Sequence, residues 1–242
     1  MSLATDLTTI AENTPKVYEA GSKAYYDAFW DMFQDKGNRT DYRYAFYGAY
    51  TFNKFWGDEW LRPKYDIVSG ATALWMFAYA NAYSLMKGYD GAEPLGLDTS
   101  AVTNASYMFY NSHFRELPLI DLSNVIATNN TSATFSLSTY LTTLPLKVSE
   151  NTIFNTTNNY NGTFYNCVSL ENLTIEGTIG NDINFSTCIA LSADTIYNQV
   201  IKNLKNYKDS GTTHTLTLGA TNLAKLTDSQ KAEATEKGWS LA

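Results

Sequence analysis

A chain of 242 residues with 44% hydrophobic side chains can bury a sizeable core in one large domain or two small ones, which excludes global disorder. Charged residues make up only 17%, and 17 Lys and Arg against 24 Asp and Glu leave a net charge of −7. That balance argues against nucleic acid or an anionic membrane surface as partner, because both need clustered Lys and Arg. No apolar run reaches the roughly 18 residues of a membrane span, and two cysteines cannot build a disulfide framework.

Residues 1–10 lack the basic and apolar regions of a secretory signal. Leu3, Leu7 and Ile10 suggest a short first helix. Pro15, with Thr14 as its cap, opens a second that stops before Gly37-Asn38. Val17, Gly21, Ala24 and Ala28 continue a seven-residue spacing, so residues 1–38 read as a helical segment for attachment or oligomerisation. It either packs on the first repeat unit or self-associates.

Residues 39–191 repeat. Phe135 is followed by Leu141, Leu144 and Leu146 at offsets of 6, 9 and 11, and Phe164 by Leu170, Leu173 and Ile175 at the same offsets. Phe109, Phe114, Leu117 and Leu119 give the pattern after one deletion. Phe46 and Phe77 carry weaker, aromatic versions, and after Phe185 only Leu191 fits. One such unit has a single apolar edge and cannot bury it alone; stacked units share a continuous core. The positions at offsets 9 and 11 alternate with polar ones, so segments 116–121, 143–148 and 172–177 read as parallel strands, with each Phe in a preceding turn or short helix. Ile120, Lys147, Glu176 and, further on, Thr217 should then project outward. Most aromatics between Tyr42 and Trp60 are expected in the core, with Trp56 and Trp60 the favoured exposed pair.

Residues 192–242 close the stack. Ser192 caps a helix carrying Ile196, Val200, Ile201 and Leu204. A strand runs over 214–219, Thr227-Asp228-Ser229-Gln230 is a capping box, and Trp239-Ser240-Leu241 reads as a last strand. The expected class is an α/β solenoid with an N-terminal helix and a C-terminal helix/strand cap.

Chemistry is sparse. His113 and His214 have no metal-ligand spacing. Cys167 and Cys188 each lie three residues after a repeat Phe, so they are either small buried thiols filling a tight turn or, less favoured, a disulfide between units. Asp58 with Glu59 and Asp90 with Glu93 are carboxylate pairs of solvated loops. No catalytic, cofactor or metal site is expected. The many Asn-x-Ser/Thr triplets read as turns.

Thr163-Phe164-Tyr165-Asn166-Cys167-Val168-Ser169-Leu170-Glu171-Asn172-Leu173-Thr174-Ile175 resembles the repeat of BspA-like leucine-rich-repeat proteins, and Met108-Phe109-Tyr110-Asn111 with Leu117-Pro118-Leu119 resembles a second copy. The segment from Ala11 to Gly21 with Tyr26-Asp27-Ala28-Phe29-Trp30, and the ending from Gly211 to Gly219 with Lys237-Gly238-Trp239, resemble repeat proteins encoded among phage and prophage tail and virion genes. The resemblance implies a virion setting, and with no catalytic site expected the chain reads as a non-enzymatic protein of tail or fibre type. It would be made in the bacterial cytoplasm, bind other virion proteins or a host-surface protein or glycan, and form a homo-oligomer such as a trimer. The alternative is a bacterial cell-surface adhesin of the same repeat type.

Overall fold

The computed structural model describes residues 67–68, 72–80 and 97–242. The N-terminal helices, the Phe46 unit, Trp56, Trp60 and the carboxylates Asp58, Glu59, Asp90 and Glu93 lie outside the described residues.

Among the described residues there are eight short strands, every pairing parallel. β1 (Ile67–Val68) pairs with β2 (Leu97–Asp98). β3 (Ile120–Asp121), β4 (Thr143–Lys147) and β5 (Asn172–Glu176) form a second sheet. β6 (Ile183–Asn184), β7 (His214–Thr217) and β8 (Trp239–Leu241) form a third. β4 and β5 occupy the segments that alternation marked as strands. Leu144 and Leu146 stand in register with Leu173 and Ile175, and all four are buried. The period of two thus puts the same positions inside in consecutive units.

The repeat phenylalanines run through the core as a column. Ring centroids are 5.3 Å apart for Phe77 and Phe109, 5.7 Å for Phe109 and Phe135, and 5.5 Å for Phe135 and Phe164, each pair within 10° of parallel. Phe185 tilts against Phe164 at 4.7 Å and 34°. Each Phe lies in a chain of tight turns with no helix. Within a rung, Met108, Tyr110 and Ser112 donate to the carbonyls three residues back. Between rungs, the N–H groups of Tyr107, Phe109 and Asn111 donate to the carbonyls of Ser132, Thr134 and Ser136. The rungs of Phe77 and Phe135 repeat the scheme, so alternate amides serve the turn and the neighbour.

The residues two before and two after the Phe take the left-handed conformation this geometry needs: Trp75 and Tyr79, Tyr107 and Asn111, Ala133 and Leu137, with Asn166 following Phe164. Positive φ at the third residue of a turn favours Gly or Asn; other L residues are held there at a cost of about 1–2 kcal/mol each.

A further regularity explains two cysteines and one serine. The residue three after Phe135, Phe164 and Phe185 is small and polar, and its side chain donates to the Phe carbonyl of the rung before. Ser138 Oγ reaches Phe109 O at 2.6 Å, Cys167 Sγ reaches Phe135 O at 3.0 Å, and Cys188 Sγ reaches Phe164 O at 3.4 Å. After the last Phe, Asn222 completes the series by donating Nδ2 to Phe185 O at 3.0 Å. Both cysteines are free thiols, fully buried.

The helix capped by Ser192, whose Oγ accepts from Thr195 N, starts as α1 (Ala193–Thr195). It widens to a π turn over Ile196–Val200 and tightens to 3₁₀ over Ile201–Asn203. The irregularity lets Ile196 and the neighbours Val200 and Ile201 all face the core. Gln199 Oε1 accepts the Ile175 amide at 3.1 Å and so occupies the outer edge of β5. α2 (Gly219–Leu223) carries Asn222. α3 (Asp228–Glu236) starts on the full capping box of Thr227 and Gln230, and Gly238 at φ +84° turns the chain into β8.

Candidate functional site

The sheet β3-β4-β5 carries a row of charge built by register, with Asp121 buried, Lys147 half-buried and Glu176 exposed. Asp121 stands beside Lys147, and Lys147 beside Glu176. Lys147 Nζ meets Asp121 Oδ2 at 2.7 Å. Asp121 Oδ1 also accepts from the Ser123 amide at 2.9 Å and the Ser123 hydroxyl at 2.6 Å. Burial raises the Asp121 carboxyl pKa, but the hydrogen bonds from Lys147 and Ser123 and the Lys147 charge outweigh it and hold the group below its ordinary value. The Lys147 ammonium is raised by its hydrogen bond to Asp121, with Glu176 and Asp98 adding negative charge nearby. Thr99 ties β2 to this sheet by accepting the Asp121 amide on its hydroxyl at 2.6 Å.

Of the four positions expected on this face, Lys147 and Glu176 stand there side by side, with Glu176 exposed. Thr217 is half-buried and belongs to another sheet, paired with Asn184. Ile120 is a correction: it is 0% exposed, in register with Leu146, and the expected core residue Leu119 is 37% exposed instead. The cause is a bulge. Glu116 bridges Thr143 and Ile120 pairs with Leu146, so four steps on one strand oppose three on the other. Leu117-Pro118-Leu119 absorbs the extra residue and inverts the phase after it.

Pro145 fits the same geometry. Thr143 donates to Arg115 and accepts from Leu117, so alternation points the Pro145 nitrogen toward the bulge, where no N–H is called for. The side chain that stands in register with Lys147 in place of Ile120 is the buried Asp121. One residue of slip decides this, and the proline-containing bulge was the only signal of it in the sequence.

A second surface was not found from the sequence. Four aromatic side chains gather on the turn ladder, with Tyr160 nearby. Trp75 stacks on Tyr107 at 4.1 Å and 4°, and Tyr79 lies 6.4 Å from Trp75 at 9°. Tyr110 stands across all three, at 70° to Trp75, 78° to Tyr79 and 67° to Tyr107. These four are half-buried, whereas Phe77 and Phe109 beside them are fully buried. Tyr160, 56% exposed, lies within electrostatic reach of Tyr107 and Tyr110. The Tyr107 hydroxyl donates to Asn161 Oδ1 at 2.8 Å.

Other polar groups are used structurally. Asp98, Asn104, Asp121, Asn155, Asn159, Asn184 and Asn206 each accept the amide two residues on, which is the Asx turn. The Nδ2 groups of Asn130, Asn155 and Asn184, all within Asn-x-Ser/Thr triplets, donate to Thr103 O, Ser132 Oγ and Thr156 O. His214 Nδ1 sits 3.0 Å from Asp182 Oδ1, and the exposed His113 packs near Tyr140. Among the described residues no group of His, Cys, Asp and Glu is arranged to hold a metal ion, and no helix is long and apolar enough to cross a membrane.

No family model, curated protein or solved structure matches the chain.

Proposed function

We propose that this chain is a non-enzymatic structural protein of a phage or prophage virion, of tail or fibre type. In this reading its stacked rungs form an irregular leucine-rich-repeat solenoid that presents side chains to a protein or a host-surface glycan. The observation that carries the binding part is the in-register row Asp121, Lys147 and Glu176. Parallel strands hold these side chains about 4.8 Å apart, on a backing of stacked Phe rings. A surface fixed in this way loses little side-chain and backbone freedom on binding, which favours recognition over chemistry. The virion setting is drawn from the likeness of the two chain ends to virion-encoded repeat proteins.

The test is fractionation of a lysate from a strain that encodes the chain. The protein should co-sediment with intact particles through a density gradient, and a labelled antibody should mark their tails. Recovery in the cell-wall fraction of unlysed cells, with clean particles, would replace this reading with the adhesin.

A further inference from the structure

We propose that the aromatic ledge of Tyr107, Tyr110 and Tyr160, backed by Trp75 and Tyr79, is a binding site for a neutral glycan. The inference rests on the reading that the chain presents a surface to a partner. It names a ligand class and places it on the turn ladder instead of the strand row.

Three observations carry it. The first is an internal comparison between rungs. The Phe135 rung has Ala133, Ser136 and Leu137 where the Phe109 rung has Tyr107, Tyr110 and Asn111. It still stacks its Phe 5.7 Å from Phe109 and accepts the same three amide hydrogen bonds. Large rings at these positions are therefore not required by the packing. The second is backbone conformation. Trp75, Tyr79 and Tyr107 sit at φ of 59°, 58° and 57°, where Asn111 and Asn166 show that a small polar residue serves. Ala133 and Leu137 share this backbone, so the rung geometry imposes the positive φ but not the choice of large aromatics there.

The third observation is the chemistry of the ledge. Trp75 and Tyr107 cover one face of each other, and the half-buried cluster leaves part of its ring surface for the C–H groups of a sugar, while phenol hydroxyls and the Asn161 amide offer hydrogen bonds at the rims. Among the described residues, the contacts of Tyr107 and Tyr110 are with other aromatic rings and the Asn161 amide, which suits a ligand without charge. Asn158, exposed on the adjoining loop, adds a further amide.

The experiment presents the full chain to an array of neutral, sialylated and sulfated oligosaccharides and then titrates the best binder. Tyr107→Ala and Tyr110→Ser copy the residues of the following rung, and Tyr160→Ala removes an exposed ring, so all three are expected to fold by circular dichroism. Each should weaken binding to a neutral oligosaccharide at least tenfold, while Glu236→Ala, exposed on α3, leaves it unchanged. Should Tyr107→Ala fail to fold, Tyr160→Ala decides. Binding only to the anionic sugars, binding to none, or undiminished binding by Tyr160→Ala overturns the inference. Co-sedimentation with particles is read separately, so a failed glycan site and a failed virion assignment are distinguishable.

Discussion

Asn222→Leu is the sharpest test of how the Phe column ends. Asn222 is fully buried on α2. Its Nδ2 donates to Phe185 O at 3.0 Å and Cys188 O at 3.3 Å, and its Oδ1 accepts from Lys225 Nζ at 2.9 Å. Leu has a similar volume, so the substitution removes hydrogen bonds with little cavity. Each carbonyl keeps one turn bond, from Cys188 N and Leu191 N respectively. The loss is then two neutral bonds of about 1 kcal/mol each, plus part of a charge-assisted bond, or about 2–4 kcal/mol in total. For a chain of this size that lowers the thermal midpoint by roughly 4–16 °C. Denaturant titration followed by tryptophan fluorescence measures it, and the slope should stay constant. Cys188→Ser, which keeps a donor to Phe164 O, serves as the comparison and should lie within about 1 kcal/mol of the parent. An Asn222→Leu protein as stable as the parent would refute the view that side-chain donors to the Phe carbonyls hold the rungs together.

Four further outcomes are expected. Ile120→Lys should cost at least about 3 kcal/mol by burying an unpaired ammonium, while Leu119→Lys should lie within about 0.5 kcal/mol of the parent, which melting curves distinguish. Gly177→Ala should abolish soluble folded protein on expression, because φ is +99° and the added Cβ would lie 2.0 Å from Val148 O. The Asp121 carboxyl is depressed in the folded state, so its contribution is full above the unfolded value of about 3.9 and fades as pH falls through the lower folded value. The stability gap between the parent and Asp121→Asn, measured by urea titration, should therefore close between about pH 4 and the acid limit of folding. The Cys188 thiol is raised by its hydrogen bond with Cys167 and by burial, so a thiol reagent should label neither cysteine in the native protein and both in guanidinium.

How much of this was legible depended on whether a feature is local. β4 and β5 were readable because alternation over five residues has one solution when one face is buried. The capping box and the caps of Ser192 and Thr227 were readable because both partners lie within four residues. Leu119 and Ile120 were exchanged because a one-residue bulge leaves composition untouched while inverting every later side chain. The helix after Ser192 followed its apolar face but not its π widening, which comes from packing against β5. The aromatic ledge was hidden for another reason. Tyr107 and Tyr110 look like any repeat aromatics until the comparison with Ala133 and Ser136 separates them from the core. Cys167 and Cys188 were placed correctly in a tight turn; their donation to a carbonyl one rung back needs the stack itself.

The side-chain donors and the alternating amides join each rung to the next through equivalent positions. An unequal crossover that inserts or deletes one whole unit between Phe109 and Phe164 would therefore meet matching partners on both sides. Chain length becomes a quantity that recombination can change in single steps, while side chains on the ledge and the strand row drift independently. Among the described residues, the segment around Asn222 is not interchangeable, since it ends the series. Descendants of such a gene would differ first in the number of units and in the ligand they meet, and last in how the array is terminated.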